Sequence, residues 1–503
     1  MKKITRAIAA SAVILSLFAS CATTKNVDDA STKANKTKTE KAEKSGKTEK
    51  TAKGSKSKPK KGKFDQEAYN TAYESRDYDT CIAMLTSKND SINLIRDNLD
   101  ANMLTYLTED YTGAGKGFLE TYGQMQQKSS EMKAGDVMKA ALIGEDTVVY
   151  TGAEYERYLV WSMRLASALG NNQSDVANGI MKDYIGTFMD EIQALRAKNA
   201  ELEKGSGDAL ESEEFKNAEK VLTAANVDLG IAGMISAVPK KSTRKYENSP
   251  FFSYLGTVAY ATNNDFDHAK DFADTYKVDK SLVNDVISVP KGKGRLEVIA
   301  LAGTIGKRFD ASSKTTPNAI VTPFGPNPIY TKIAYPAFEE PAHAIGAVKI
   351  TLSDGSSKGV TFIENFDNAV AIDVEQKARA AAQRSVFRNV IKNSASVAAI
   401  VAANQAAEQA GSNPIAQKAA QAALNKAVDA ACLAIINTEN ADIRQGDYFP
   451  NKAGAAGFSI EPGTYSVKIE YLGTSGSVVE TKTIDNVVVS EGKVSVAVSS
   501  CEK

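Results

Sequence analysis

The stretch Phe251-Phe-Ser-Tyr-Leu-Gly-Thr-Val-Ala-Tyr260, followed by Thr262-Asn-Asn-Asp265 and then by Phe266 to Tyr276, decides how this chain is read. An apolar run stops at a polar turn, and a second run carries Ala269 and Ala273 at helical spacing, the pattern of two helices packed through small residues. The pattern occurs twice more. Tyr155-Glu-Arg-Tyr-Leu-Val-Trp161 runs on through Leu165, Ala168 and Leu169 to a stop at Gly170-Asn-Asn172, and a new helix begins after Ser174 with Ile180, Tyr184, Phe188 and Ile192. Near the start, Phe64 to Tyr73 and Asp77 to Leu85 form a third pair, with Ala68, Ala72, Ile82 and Leu85 as packing positions.

These units resemble tetratricopeptide (TPR) helix pairs, in which small residues allow close approach and an aromatic fills the gap between neighbours. The sequence predicts a TPR-like helical domain over 64–290, irregular because a charged stretch across 195–250 interrupts it with an expected mobile segment. Such an array presents a concave surface to a partner. Tyr155, Trp161, Tyr254 and Tyr260 are the candidates for an apolar patch on it.

After Pro290 the chemistry changes. Lys293 to Ala302 is a β-rich apolar run, Thr316 to Pro328 reads as a Pro-rich loop, and Ile329 to Ala334, Ala344 to Leu352 and Val360 to Ile363 read as strands. Further strands are expected from Gly457 to Val498. In Tyr465-Ser-Val-Lys-Ile-Glu-Tyr471 the alternation puts Tyr465, Val467, Ile469 and Tyr471 on one face. Between the two β-rich parts lies an alanine-dense helical insertion, 373–440, broken at Gly411-Ser-Asn-Pro414 and too often interrupted by polar residues to span a membrane. On its first helix Arg384, Arg388 and Lys392 form an i, i+4 row, expected to be a solvated face and otherwise a contact for an anionic partner. The fold class expected is therefore α+β: a TPR-like helical array followed by a β-sandwich-like module, 291–503, with a long Ala-rich helical insertion.

The N-terminus gives an address. Lys2, Lys3 and Arg6 precede an apolar run from Ile8 to Phe18, and Phe18-Ala19-Ser20-Cys21 is a lipobox, so residues 1–20 read as a lipoprotein signal peptide and Cys21 as the acylated anchor. Ala22, in place of aspartate, points to the outer membrane, with the body facing the periplasm. Residues 21–63 read as the lipidated cysteine and a disordered tether. From 22 to 63 there are 14 lysines against 5 acids, whereas 64–503 hold 44 basic and 56 acidic residues, so the net charge of zero hides a basic leash and an acidic body. As a flexible coil the leash has a root-mean-square reach of about 35 Å. Cys81, Cys432 and Cys501 are expected to be buried structural thiols, a Cys432–Cys501 disulfide being the less favoured alternative.

The order of these motifs is similar to that of a family of poorly characterised bacterial envelope lipoproteins with a TPR-like N-terminal half and a β-rich C-terminal half. The matching residues are Tyr155-Glu-Arg157, Asn264-Asp-Phe266, the Arg384/Arg388 helix, Ala441-Asp-Ile-Arg444, Phe449-Pro450 and Pro462-Gly-Thr-Tyr465, across most of 150–471. After Ala441-Asp-Ile-Arg444 this chain has Gln445 and Gly446 where the family carries a bulky residue. The resemblance implies an envelope lipoprotein without an assigned reaction; Arg157, Arg384 and Arg388 stand with the tyrosines and Trp161 as the candidate partner-binding residues.

Catalytic signatures are missing from the sequence. His268 and His343, the two histidines, have no neighbours at metal-ligand spacing. Gly113-Ala-Gly-Lys-Gly117 and Gly303-Thr-Ile-Gly-Lys307 fail the phosphate-loop pattern, and no GxSxG elbow occurs. No cofactor, metal or nucleic acid is expected, and the chain is read as a non-enzyme. Two functions fit: a membrane-anchored periplasmic adaptor or scaffold for an envelope protein, or a module that binds glycan or peptidoglycan through Tyr330, Tyr335, Tyr448 and Tyr465 on the β part.

Overall fold

Helices fill the first part of the chain: α1 (Gln66–Glu74), α2 (Tyr78–Thr86), α3 (Leu94–Leu107), α4 (Tyr111–Glu131), α5 (Glu154–Gly170), α6 (Ser174–Asp183), α7 (Met189–Leu210), α8 (Glu213–Ala224), α9 (Ile231–Ala237), α10 (Pro250–Thr262), α11 (Phe266–Thr275) and α12 (Lys280–Ile287). The computed structural model describes residues 64–88, 90–132, 144–314, 318–322, 325–409 and 413–503, of which 67–503 belong to one compact unit. The leader, Cys21 and the Lys-rich tether lie outside the described residues, as do Gly411 and Ser412 of the expected helix break.

Local chemistry sets the helix ends. Asp77, Asp110, Ser249 and Asp265 each cap a helix by accepting a backbone N–H three residues on. Helices α5 and α10 both stop at an Asn-Asn turn whose second residue, Asn172 or Asn264, sits at a positive φ of 53° or 58°. Asparagine tolerates that left-handed conformation better than most side chains. A π-turn, Tyr184–Phe188, joins α6 to α7 and keeps Tyr184 and Phe188 both packed against Trp161.

The 195–250 stretch departs from expectation, since α7, α8 and α9 occupy most of it. Phe215, Ala218 and Leu222 recur at i, i+3 and i+7, giving α8 an apolar face that docks on Val386, Phe387 and Val390. The surrounding charges had masked this sparse face.

Two four-stranded sheets follow. The first has the order β10 (Thr361–Asn365), β11 (Lys452–Ile460), β1 (Gly294–Ala302), β14 (Val494–Cys501), with β14 parallel to β1. The second is β13 (Val478–Val489), β12 (Gly463–Gly473), β8 (Ile345–Leu352), β9 (Ser357–Gly359), antiparallel throughout. Strand β1 is buried along its whole length because its faces serve two cores. Ile299 and Leu301 join the helices' core, while Leu296, Val298 and Ala300 meet Ile350, Val467, Ile469 and Tyr471 of the second sheet. Val467, Ile469 and Tyr471 share the buried face that alternation predicts, and Tyr465 packs at its edge.

Between β1 and β8 run shorter strands, β2 (Arg308–Asp310), β3 (Ser313–Lys314), β4 (Asn318–Thr322), β5 (Gly325–Ile329), β6 (Lys332–Ile333) and β7 (Pro336–Phe338). The expected Pro-rich loop thus contains the pair β4 and β5. Pro326 and Pro328 are two residues apart on β5, so their missing N–H groups fall on one edge and need not interrupt the pairing. The helical insertion is a long helix, α13 (Asp367–Gln409), followed by α14 (Pro414–Thr438). No described helix is long and apolar enough to cross a membrane. Cys81 and Cys501 are both free and buried, the Cys432 side chain lies outside what the structure describes, and burial pushes the Cys501 thiol up to about 11.

Candidate functional site

The start of α5 organises the site. Of Tyr155-Glu-Arg157, Glu156 turns back to accept hydrogen bonds from the Ala153 N–H (2.6 Å), the Tyr150 hydroxyl and the Gly446 N–H (2.7 Å). Its burial raises the carboxyl pKa, with Arg308 and those donors opposing. Arg157 donates to the Met125 carbonyl (3.3 Å), Ser129 Oγ (2.7 Å) and the Thr151 carbonyl (3.1 Å). Glu156 and Arg157 are therefore fasteners between α4, α5 and the segment after α14, not surface residues.

Arg444, from Ala441-Asp-Ile-Arg444, grips Asp442 with Nε and Nη2 (both 2.7 Å) and reaches the Val148 carbonyl with Nη1 (2.7 Å). Gly446 follows for a steric reason. A Cβ there would stand 2.7 Å from the Phe449 ring and 3.2 Å from Leu99, so only glycine brings its N–H up to Glu156. Gly446→Ala should cost about 1–3 kcal/mol through this overlap; urea denaturation showing no loss would refute the assignment.

Most of the predicted partner-binding residues are interior. Tyr155, Arg157, Trp161, Tyr254, Tyr260 and Arg388 are all 5% exposed or less, which leaves no aromatic patch for a concave surface. Trp161 packs edge-on against Tyr122, Tyr184 and Phe188 at 5.3–5.7 Å. Tyr254 donates to Glu297 of β1 (2.5 Å), tying α10 to the first sheet. The basic row of α13 is also not the solvated face expected of it. Arg388 Nε and Lys392 Nζ both bond Glu439, at 2.8 and 2.7 Å, and Arg384 holds Glu145 with Nε (2.6 Å) and Nη2 (3.0 Å). Burial pulls the Lys392 pKa down, and Glu439 opposes it.

The four tyrosines proposed for glycan binding do not form an exposed platform. Tyr448 lies 4.8 Å from the Tyr73 ring and hydrogen-bonds Tyr69 (2.9 Å), Tyr465 bonds the Glu461 carbonyl (2.8 Å), Tyr335 packs beside α13, and Tyr330 is half-buried. His268 is exposed at the start of α11, its Nδ1 2.8 Å from the capping Asp265, which raises its pKa. His343 Nε2 lies 2.6 Å from Asp367, which also accepts from the Gly306 N–H and Asn451 Nδ2, both at 2.7 Å. Gly113 to Gly117 lie inside α4. Among the described residues no group of three His, Cys, Asp or Glu side chains is placed to hold a metal ion.

What the structure does build is a cleft of about 600 Å³ between the 145–155 segment, α7, the 241–247 segment and the 369–384 part of α13. Leu195, Leu202, Val149, Ile372, Val374 and Ala381 give it apolar walls. Tyr155 and Arg308 also line it, with the Arg308 guanidinium 5.4 Å above the Tyr155 ring. Arg308 Nη2 donates to Asp373 (2.7 Å), and Lys377 shares that carboxylate at 2.7 Å. At the mouth Arg196 pairs with Glu154 and Lys241 with Glu203, both at 2.5 Å. The polar side chains are tied to one another in pairs rather than set as nucleophile and base, so the arrangement is suited to holding a molecule. Sequence reasoning found Tyr155 and missed Arg308 and Asp373, which carry no local motif. No protein-family profile, no curated protein and no solved structure matches the chain.

Proposed function

We propose that this chain is a lipid-anchored periplasmic adaptor or scaffold of the outer membrane, acting by recognition, with the cleft beside α13 as its recognition site. The helix pairs α5/α6 and α10/α11 are the TPR-like part of the scaffold in this reading, and the two sheets facing each other across a shared core are its sandwich-like part. The observation that carries the reading is the cleft itself: a volume within the 300–1,000 Å³ usual for ligand sites, apolar walls, and a few buried polar groups on its floor. The lipobox and the Lys-rich tether support the address and give the body a reach of about 35 Å from its anchor. Half-buried tyrosines on the β part speak against the glycan alternative.

Two measurements test this. Cys21→Ala should move the protein from the membrane fraction to the soluble periplasm with the same thermal unfolding, and continued firm membrane attachment would refute the anchor. A photo-crosslinking residue at Ala200, exposed on the cleft rim, should capture an envelope component in intact cells, whereas one at Glu491, on the β13–β14 turn, should not. Equal labelling from both positions would remove the cleft as the recognition site.

A further inference from the structure

Arg308 is unusual among the buried arginines of the cleft. Its side chain is 4% exposed, yet of its nitrogens only Nη2 donates to a described residue, while Nε is enclosed without a hydrogen bond. Tyr155, stacked beneath it, is 1% exposed, and its hydroxyl faces Arg308, a donor, and donates its own proton to none of the described residues. Most buried polar groups in folded proteins have a partner, so two adjacent donors without one on the floor of a cavity require an explanation. Arg157, outside the cleft, also encloses an Nε without a partner, but the other arginines that line the cleft do not share the feature. Arg384 uses Nε, Nη1 and Nη2 on Glu145 and Ser206, and Arg444 uses all three nitrogens on Asp442 and backbone carbonyls.

The acids around Arg308 are already engaged. Arg308 and Lys377 share the single carboxylate of Asp373. Glu156 is the other acid near Arg308, but its oxygens are taken by Ala153, Tyr150 and Gly446. The floor therefore offers the free hydrogen-bond donors of a guanidinium and a hydroxyl, while the walls above it are apolar. A guanidinium beside a hydroxyl matches the oxygens of a carboxylate or phosphate.

We propose that the cleft binds a single-chain anionic amphiphile, its acid head on Arg308 and Tyr155 and its hydrocarbon chain along Leu195, Leu202, Ile372 and Val374. This rests on the reading of the cleft as the recognition site and names what enters it. One chain suits the size: a cleft of about 600 Å³ lies within the range of sites that hold a single small ligand. The anchor supports the choice of source, because a protein leashed to a bilayer works where acyl chains with acid heads are shed.

The test uses the full chain carrying Cys21→Ala, which needs no detergent, with oleate, oleoyl lysophosphatidylglycerol and uncharged oleyl alcohol as probes in a fluorescent fatty-acid displacement assay. Oleate or the lysolipid should displace the fluorophore at one site per chain, and the better of the two identifies a carboxylate or a phosphate head. Oleyl alcohol should bind more weakly by about tenfold or more, the worth of a charge-assisted hydrogen bond. Arg308→Met should remove that preference for the acid, and Tyr155→Phe should weaken it by a few-fold. Because Arg308→Met also releases Asp373, Ala200→Trp serves as the second variant: it plugs the mouth from an exposed position and should abolish binding while unfolding at the wild-type temperature.

Equal affinity for oleate and oleyl alcohol, binding undiminished in Ala200→Trp, or no binding of either acid would each overturn the proposal. The last result together with retained crosslinking from Ala200 would overturn the amphiphile and leave the adaptor. Binding of oleate without any crosslink from Ala200 in cells would do the reverse.

Discussion

Glu439→Gln should destabilise the protein by about 3–5 kcal/mol, the loss expected when one partner of a buried ion pair is removed. Glu439 has no exposed side-chain surface and serves three groups of α13 together: Arg388 Nε at 2.8 Å, Lys392 Nζ at 2.7 Å and Ser385 Oγ at 2.9 Å. Arg388 is itself fully enclosed, and its other carboxylate, Glu145, lies 3.4 Å from Nη1 and is already held by Arg384. The amide keeps the shape and one acceptor but removes the negative charge that Arg388 and Lys392 share. Part of the loss can escape through Lys392, whose pKa burial already lowers and which can shed its proton. The double variant Glu439→Leu with Arg388→Met should recover much of the loss, because replacing a buried pair by apolar groups is often close to neutral. Urea denaturation monitored by the single tryptophan, Trp161, reads both. A loss below about 1 kcal/mol in the single variant would show that water screens the cluster.

This cluster also marks where the sequence stops being informative. The spacing of Arg384, Arg388 and Lys392 is visible in the chain, and an i, i+4 basic row on a helix is ordinarily solvated. What reverses the reading is the arrival of Glu145 from 239 residues upstream of Arg384 and Glu439 from 51 residues downstream of Arg388. Nothing local announces either acid. The helix pairs around Trp161 and Tyr254 were legible because their signals are local: capping aspartates and serines, an Asn-Asn stop, and alanines at helical spacing. Strand β12 was legible for the same reason, through its two-residue alternation. The role of the aromatics was not. Trp161, Tyr254 and Tyr260 look alike whether they face a groove or a core, and the sheet that closes over one side of the helices, through Ile299 and Leu301, comes from a later part of the chain. The cleft escaped sequence reading because its walls come from separate segments, and Arg308, its most informative residue, stands alone between Lys307 and Phe309.

Glu364 should make the protein more stable in mild acid than in mild base, by about 3 kcal/mol from this group alone. Its carboxylate, on β10, accepts from the Tyr246 hydroxyl and Ser249 Oγ, both at 2.5 Å, and from the Phe251 N–H at 3.0 Å, at the capped start of α10. Burial outweighs these donors and lifts the pKa from an ordinary value of 4.5 to about 7. A carboxyl whose pKa is raised by folding favours the folded state most where it is protonated in both states. The contribution is therefore complete below about 4.5 and is lost as the pH rises through about 7. Glu156, Glu297 and Asp100 are raised by burial too and tilt the profile the same way, whereas Asp373, Glu375 and Glu480 are lowered and tilt it the other way, so the wild-type curve alone cannot assign the effect. Glu364→Gln isolates it: the amide does not titrate and still accepts from one side. Between pH 4.5 and pH 8 the stability of the variant relative to wild type should rise by about 2–3 kcal/mol, the greater part of the linked energy. Parallel stability profiles for the two proteins would mean that Glu364 stays ionised in the fold, and that Tyr246, Ser249 and the α10 terminus compensate its burial completely.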